Sequence, residues 1–531
     1  MTIKNSSDSL RAPFPDDLKP IRHTLTQLLP ILDSGKNWYG SIYFERKASK
    51  TYTANLKQTQ ASDHVTLGTV FRIYDGYTLF EEATDDITPE GLRIFVQDFA
   101  RRVQAQQPIH TTSPKPYIPQ TWAQRLSSDL EKEITSQIPA DVDAQTPVHF
   151  GIRYIQDPKI ITPASCFQKL KGIIDQCKTL ATQQGLGAQE LTYLMSRQTF
   201  SEENSIFLDR ETNMSQSIYR LSLGLTTMSG PDRTFLRIGG LGGLEAIELK
   251  EPDLLTLITD LKSLKSAKRL EPGSYRVLFG PVLTGVLAHE AFGHSQEGDT
   301  CARGRSKAWD LYQTGETVGN QHATILNNPA IFENAGEPYG AWGSYFFDEE
   351  GWLAQEQVLL KEGRLLAPMT NLTSAIRLGI QRTANGKRES WAHGVYTRQT
   401  NTYFSPGDKT LAELMTELND GFLALHPAGG MEDPKGMGIQ VGISYLYEVK
   451  GGKLTGQVLR GPAGGDIQMT GYTPDVLYSI IGKSKINFES KAPDHAKHPF
   501  NDVGGCGKYH KEFVFAGCGG PYVLLNQVIL G

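Results

Sequence analysis

The chain has 531 residues, a formal net charge of -5, a pI near 6.2 and five scattered cysteines. That length exceeds a single core and calls for two or more domains. The near-balanced charge gives no electrostatic reason for nucleic acid or an anionic membrane as partner. An odd, dispersed cysteine set argues against a disulfide framework and, with no apolar signal at residues 1–19 and no run long enough to span a bilayer, makes the cytoplasm the expected address.

After the polar leader, the spacing predicts a helix over Ile21 to Leu32 and strands at Tyr39 to Arg46, Lys50 to Leu56 and Val65 to Tyr74. Asp75-Gly76 signals a turn into Tyr77 to Glu82. Thr88-Pro89 opens a helix through Val103, with threonine as cap. Residues 106–158 hold prolines and a helical patch near Trp122 to Ile134, and are read as a surface connector or insertion. A helix over Ala164 to Gln184 precedes strands at Leu191 to Phe200, Ser205 to Glu211, Ser215 to Leu225 and Arg233 to Ile238. Gly239 to Gly243 lacks the Lys-Ser/Thr ending of a P-loop and is read as a flexible joint. Leu254 to Leu264 is helical, and the polar link after it sets a boundary between residues 1–268 and 269–531.

Tyr275 to Phe279 reads as a buried strand, and Gly280-Pro281 turns into an apolar helix that carries His289, Glu290 and His294 inward. Buried polar groups need partners there. Zinc would supply one, with two imidazoles as ligands and a carboxylate as general base. The histidines stand five apart, which on a regular helix separates them by roughly 140°. Irregular backbone is therefore expected at Ala291 to His294, an i to i+5 step being that of a π-bulge, with Gly293 as the permissive residue. Hydrogen-bonded core residues near a helix end are the alternative on spacing alone. Hairpin turns follow at Glu349-Glu350-Gly351, Lys361-Glu362-Gly363 and Lys450 to Lys453, with one late helix at Leu411 to Asn419. The fold class is α+β: a mixed α/β N-terminal domain, then a predominantly antiparallel β domain carrying the histidine helix.

His289-Glu290-Ala291-Phe292-Gly293-His294, continuing into Glu297-Gly298-Asp299, resembles the HExxxH segment of the TldD/PmbA metalloprotease family. The likeness extends in order through Tyr43 to Arg46, Thr88 to Leu92, Phe347 to Gly351, Leu359 to Gly363, Asn385 to Ser390, Thr400 to Tyr403 and Gly505 to Lys508. It departs at Tyr509-His510-Lys511-Glu512, where family catalytic subunits carry a Glu-Gly-Gln-like run. The resemblance implies a cytoplasmic zinc peptidase, a TldD-like catalytic subunit. It implies a homodimer, or a heterodimer with a PmbA (TldE)-like subunit, enclosing a site for unfolded or small peptides.

A catalytic zinc site needs a third protein ligand besides His289 and His294. Cys506, set between glycines and matched to the family, is the expected one; Cys518, Cys301, His510 and Glu297 are rivals, Glu297 also as a partner orienting an imidazole. Glu290 is the expected general base. Arg303, Arg305, Arg388 and His393 are candidates to hold a substrate carboxylate or developing oxyanion. Two other classes stay open: a non-catalytic peptide-binding partner with a structural metal, and a thiol hydrolase in which Cys506 is the nucleophile and His510 the base.

Overall fold

The computed structural model describes residues 10–106, 113–187, 189–333, 337–485, 502–508 and 511–531. A seven-stranded sheet takes its strands from residues 39–241. Helix α1 (Lys19–Leu32) buries Leu25, Leu28 and Leu32. Then come β1 (Tyr39–Asn55), β2 (Thr59–Tyr74) and β3 (Leu79–Thr84). The expected break inside Tyr39 to Leu56 does not exist. Ala48 and Ser49 stay paired, with Val65 and His64, and pairing with β2 holds every residue from Tyr39 to Ala54 in register.

Helix α2 (Pro89–Ala105) starts where the Thr88 hydroxyl accepts from Gly91 N at 3.1 Å. Residues 113–158 are not simply a surface connector: Trp122, Leu130 and Ile134 enter the main core beside strand β4 (Pro147–Gly151). Residues 107–112 lie outside the described residues. In α3 (Pro163–Gln183), Cys166, Leu170, Ile173, Cys177 and Leu180 recur at helical steps and are buried, so the first two cysteines serve as small apolar groups. Burial pushes their thiols up to about 11 and about 12 respectively.

Strands β5 (Tyr193–Asp209), β6 (Thr212–Ser229) and β7 (Asp232–Leu241) complete the sheet, in the order β3-β2-β1-β5-β6-β4 with β7 along the second half of β6. The expected joint at Gly239 to Gly243 is corrected in part. Gly239 and Gly240 pair with Ser222 and Leu221, and Leu241 bridges to Gly340, so the run begins as sheet. Helix α4 is Glu251–Leu264. The helices cover one face: Ile42 and Phe44 pack with α1 and α2, Tyr52 and Ala54 with α3.

A ten-stranded, mostly antiparallel sheet takes strands from residues 268–530, and a six-stranded sheet from residues 325–518. In the former, β8 (Gly273–Phe279) lies centrally, and the path ends at β10 (Pro427–Asp433), whose one partner there is β11 (Gly438–Ile443). The six-stranded sheet contains β9 (Asn401–Phe404), β12 (Asp502–Lys508) and β13 (Lys511–Cys518). Helix α5 (Pro281–Ala288) is clamped between β9 and β13 of one sheet and β10 and β11 of the other. That explains why Leu283 through Ala288 are all buried. The late helix α6 (Leu411–Leu418) is capped by Thr410 and Glu413.

Much of the motif series outside the histidines is ionic mortar. Arg388 is fully buried, holds Glu81 through both its terminal nitrogens at 3.1 and 2.9 Å and donates to His393 O at 2.7 Å. Arg72 joins Glu81 to Glu350, and Arg382 meets Glu350 and Asp348. Burial pushes Glu349 upward, opposed by Lys47. Removing one member strands its partners in a dry interior, at about 3–5 kcal/mol. Arg388→Ala is therefore expected to lower stability and the thermal unfolding temperature sharply, while exposed Arg305→Ala changes stability by no more than about 0.5 kcal/mol. Calorimetry of both variants checks this.

Candidate metal centre and cleft

After Ala288 the helix loosens by one residue. His289–Gly293 form a π turn closed by His294 N–H donating to His289 O, and His294–Gln296 tighten into a 3-10 turn. Irregular backbone thus covers the expected stretch, Ala291 to His294, and extends beyond it on both sides. Gly293 is required by contact: a Cβ there would lie 1.9 Å from Gln399 Oε1, whose amide nitrogen donates to His289 O at 3.2 Å.

The turn brings His289 Nε2 within 3.2 Å of His294 Nε2, and Cys506 Sγ from β12 lies 3.3 Å from both. These three residues form the potential metal-ligand group found among the described residues. The donor chemistry fits zinc. Two imidazole nitrogens and a sulfur converge edge to edge, and ligand distances of roughly 2.0–2.3 Å would span such a triangle while leaving a fourth position open. His289 Nδ1 has no hydrogen-bond partner among the described residues. Burial alone would raise the Cys506 thiol, but His294 and His289 hold it well below the usual range.

A charged layer stands behind the triad. Glu297 Oε1 lies 3.4 Å from His294 Nδ1, and Lys508 Nζ is 2.8 Å from Glu297 Oε2 and 2.6 Å from Asp299 Oδ1. Against its burial, Lys508, His294 and Arg398 hold Glu297 far below the ordinary carboxylate range. Arg398, wholly buried, donates to Cys506 O at 2.6 Å and so ties the cysteine strand to this layer.

Glu290 is buried and faces the same cleft, its carboxyl raised by burial against the lowering pull of His289 and His294. Strand β10 runs directly over it: a Cβ on Gly430 would lie 2.6 Å from Glu290 Cγ, so only glycine lets the backbone pass so close. Glu432, two residues on, is pushed well up by burial with Glu290 and Glu297 nearby. The cleft holds about 970 Å³ and is walled by β10, β12 and, from the first sheet, Arg233, Phe235 and Arg237.

The other candidates are placed elsewhere. Cys301 Sγ lies 3.4 Å from Ser295 O, its thiol pushed up to about 12 by burial. Cys518 lines the cleft but is not in the triad. His510 lies outside the described residues. Arg303, Arg388 and His393 do not line the cleft. Arg303 sits over the Tyr396 ring at 5.7 Å, Arg388 is spent on Glu81, and His393 Nδ1 lies 2.8 Å from the Ser390 hydroxyl on the surface. Arg233, Arg237 and Glu432, which line the cleft, and Arg398, which holds the Cys506 carbonyl, carry no local motif.

Residues 272–531 match the PmbA/TldA metallopeptidase C-terminal domain. A metalloprotease of Methanothermobacter thermautotrophicus is 28% identical over 338 residues, 62% of this chain and 68% of its own. A zinc metalloprotease TldD homologue of Saccharolobus solfataricus is 28% identical over 260 residues, 49% of this chain and 52% of its own. The chain thus spans about half of the second relative and about two thirds of the first. TldE from Thermococcus kodakarensis shares the fold, with TM-score 0.65 and 13% identity over 96% of this chain and all of that one. The class is that of chains with a metallopeptidase-type C-terminal domain. This chain belongs to the TldD/PmbA family.

Cys506→Ser should lose most of the bound zinc, while Cys518→Ser retains it. Metal content of the purified proteins, by mass spectrometry, checks the pair; full zinc in Cys506→Ser would exclude the thiolate as ligand.

Proposed function

We propose that the protein is a zinc-dependent peptidase acting on unfolded or small peptides, with His289, His294 and Cys506 as ligands and Glu290 as general base. The observation that carries this reading is the convergence of the three ligand atoms beside a cleft-facing carboxylate. When bound, zinc supplies polarisation of the scissile carbonyl and acidification of water. Glu290 then takes the proton of the attacking water at its carboxylate and passes it to the leaving amine, so no covalent enzyme intermediate is needed. Glu297 keeps the His294 ring oriented through Nδ1, and Lys508 and Arg398 neutralise that carboxylate.

The course of β10 supports an extended substrate. It ends the sheet path, passes over Glu290, and its outer edge can pair with a peptide backbone with little demand on side chains. A homodimer or a pair with a TldE-like subunit, in the cytoplasm, would enclose the cleft and exclude folded proteins. Among the described residues no helix is long and apolar enough to cross a membrane.

Glu290→Gln is expected to keep zinc and fold while losing about 10²- to 10⁴-fold in peptide turnover. Chelation should abolish wild-type turnover and zinc restore it; activity that survives chelators yet falls to thiol reagents would instead favour Cys506 as nucleophile. One sequence should be cleaved fast as a free peptide and slowly inside a stable domain, at a rate that tracks local opening. Equal rates would rule out an enclosed site.

A further inference from the structure

The face of the first sheet opposite its helices has two fates. At one end it is buried against residues 345–349 and 513–515. At the other it stays exposed, and there three arginines stand together: Arg197 on β5, Arg233 and Arg237 on β7. Register makes this a groove. Arg197 and Arg237 both pair with Gly224 of β6, so two guanidinium stems flank a floor with no side chain, about two strand spacings or ~10 Å apart. Next along are Thr199 with Ser222, and Thr226 with Phe235, which add hydroxyls and an aromatic edge.

Three positive charges on one face repel one another unless something negative sits among them. Among the described residues, no carboxylate forms an ion pair with any of the three. Arg233 and Arg237 lie over the Phe235 ring at 5.7 and 6.0 Å, and Arg237 donates to Val503 O at 2.6 Å. The groove, of about 400 Å³, runs on into the metal cleft: Arg233, Phe235, Arg237 and Val503 line both. Planar guanidiniums over a glycine floor suit bidentate carboxylates. The overall charge of -5 disfavours a polyanionic nucleic acid as the occupant.

We propose that this groove is an anion-recognising extension of the cleft that takes Asp or Glu side chains of an extended peptide whose neighbouring residues lie across the metal centre. It rests on the peptidase reading for the peptide's presence and adds a preference: acidic residues at a fixed offset from the scissile bond.

The test measures binding, so it does not depend on turnover. Rhodamine-labelled unstructured peptides, identical except for an Asp-Glu pair or an Asn-Gln pair on either flank, are titrated by anisotropy into the zinc-loaded Glu290→Gln protein. The acidic peptide from one flank is expected to bind about tenfold more tightly than its neutral twin. That ratio should shrink as salt rises from about 0.05 to about 0.5 M. In the same background, Arg197→Gln with Arg233→Gln should bring it close to one, and Arg197→Gln alone part of the way. Arg237 is left in place because it holds the Val503 carbonyl, three residues before Cys506 on β12. Zinc content and thermal unfolding report whether the variants fold, and the single variant carries the test if the double one does not.

Equal affinity for the twins, or a preference that survives both substitutions, overturns the proposal. So does displacement of the acidic peptide by tighter-binding duplex DNA, or a changed native mass with an unchanged preference, which would assign the face to subunit contact. If the preference holds but the wild-type protein cleaves neither peptide, hydrolysis is what fails and the groove stands.

Discussion

Side chains five residues apart on a regular helix point in different directions, and no rotamer choice brings both rings to one point. The hydrogen bond from His294 N–H to His289 O removes that obstacle by widening one turn. The rest of the site depends on this widening. It turns two imidazoles toward Cys506, places Glu290 toward the cleft, and positions Glu297 behind His294. A π turn is intrinsically less favourable than the α-helix it interrupts, and here Gln399 on the His289 carbonyl and the clamp of two sheets around α5 hold it in place.

Charge is handled differently at the centre and around it. Between the two sheet systems, Arg72, Arg382 and Arg388 meet Glu81, Glu350 and Asp348 in closed pairs that leave little capacity for a ligand. At the candidate metal centre two imidazole nitrogens and a sulfur converge within 3.3 Å of one another, an arrangement of donor atoms able to take up a cation rather than a closed structural ion pair.

The sequence was most informative where chemistry and local geometry coincide. The five-residue histidine spacing calls for an irregular turn and Gly293 marks where, whereas Cys506 between glycines is preferred over Cys518, Cys301, His510 and Glu297 only through the family resemblance. Helices with clear 3- and 4-residue spacing, such as α2 and α3, fell within a few residues of expectation. The strand merger at Ala48-Ser49 was hidden because small residues suit both a turn and a half-buried stretch of a long strand. Arg388 misled for a related reason: an arginine in a motif does not say whether its partner is a substrate or Glu81, which lies far away in the chain. Arg233 and Arg237 were invisible as a pair with Arg197, since the register that aligns them is a tertiary property.

The long strands of the first sheet also govern the order in which the molecule can form. β1 and β5 pair along most of their length, Asn55 meeting Met195 and Ile42 meeting Leu208, so their zipping must wait for a large loop to close. The cluster of His289, His294 and Cys506 has the same character, because Cys506 arrives on β12 long after the histidine turn has been made. Assembly is therefore slow and late rather than local. Uptake of a metal by this cluster would follow only once distant parts of the chain have met, since the nascent histidine turn by itself offers two donors, too few to hold an ion firmly.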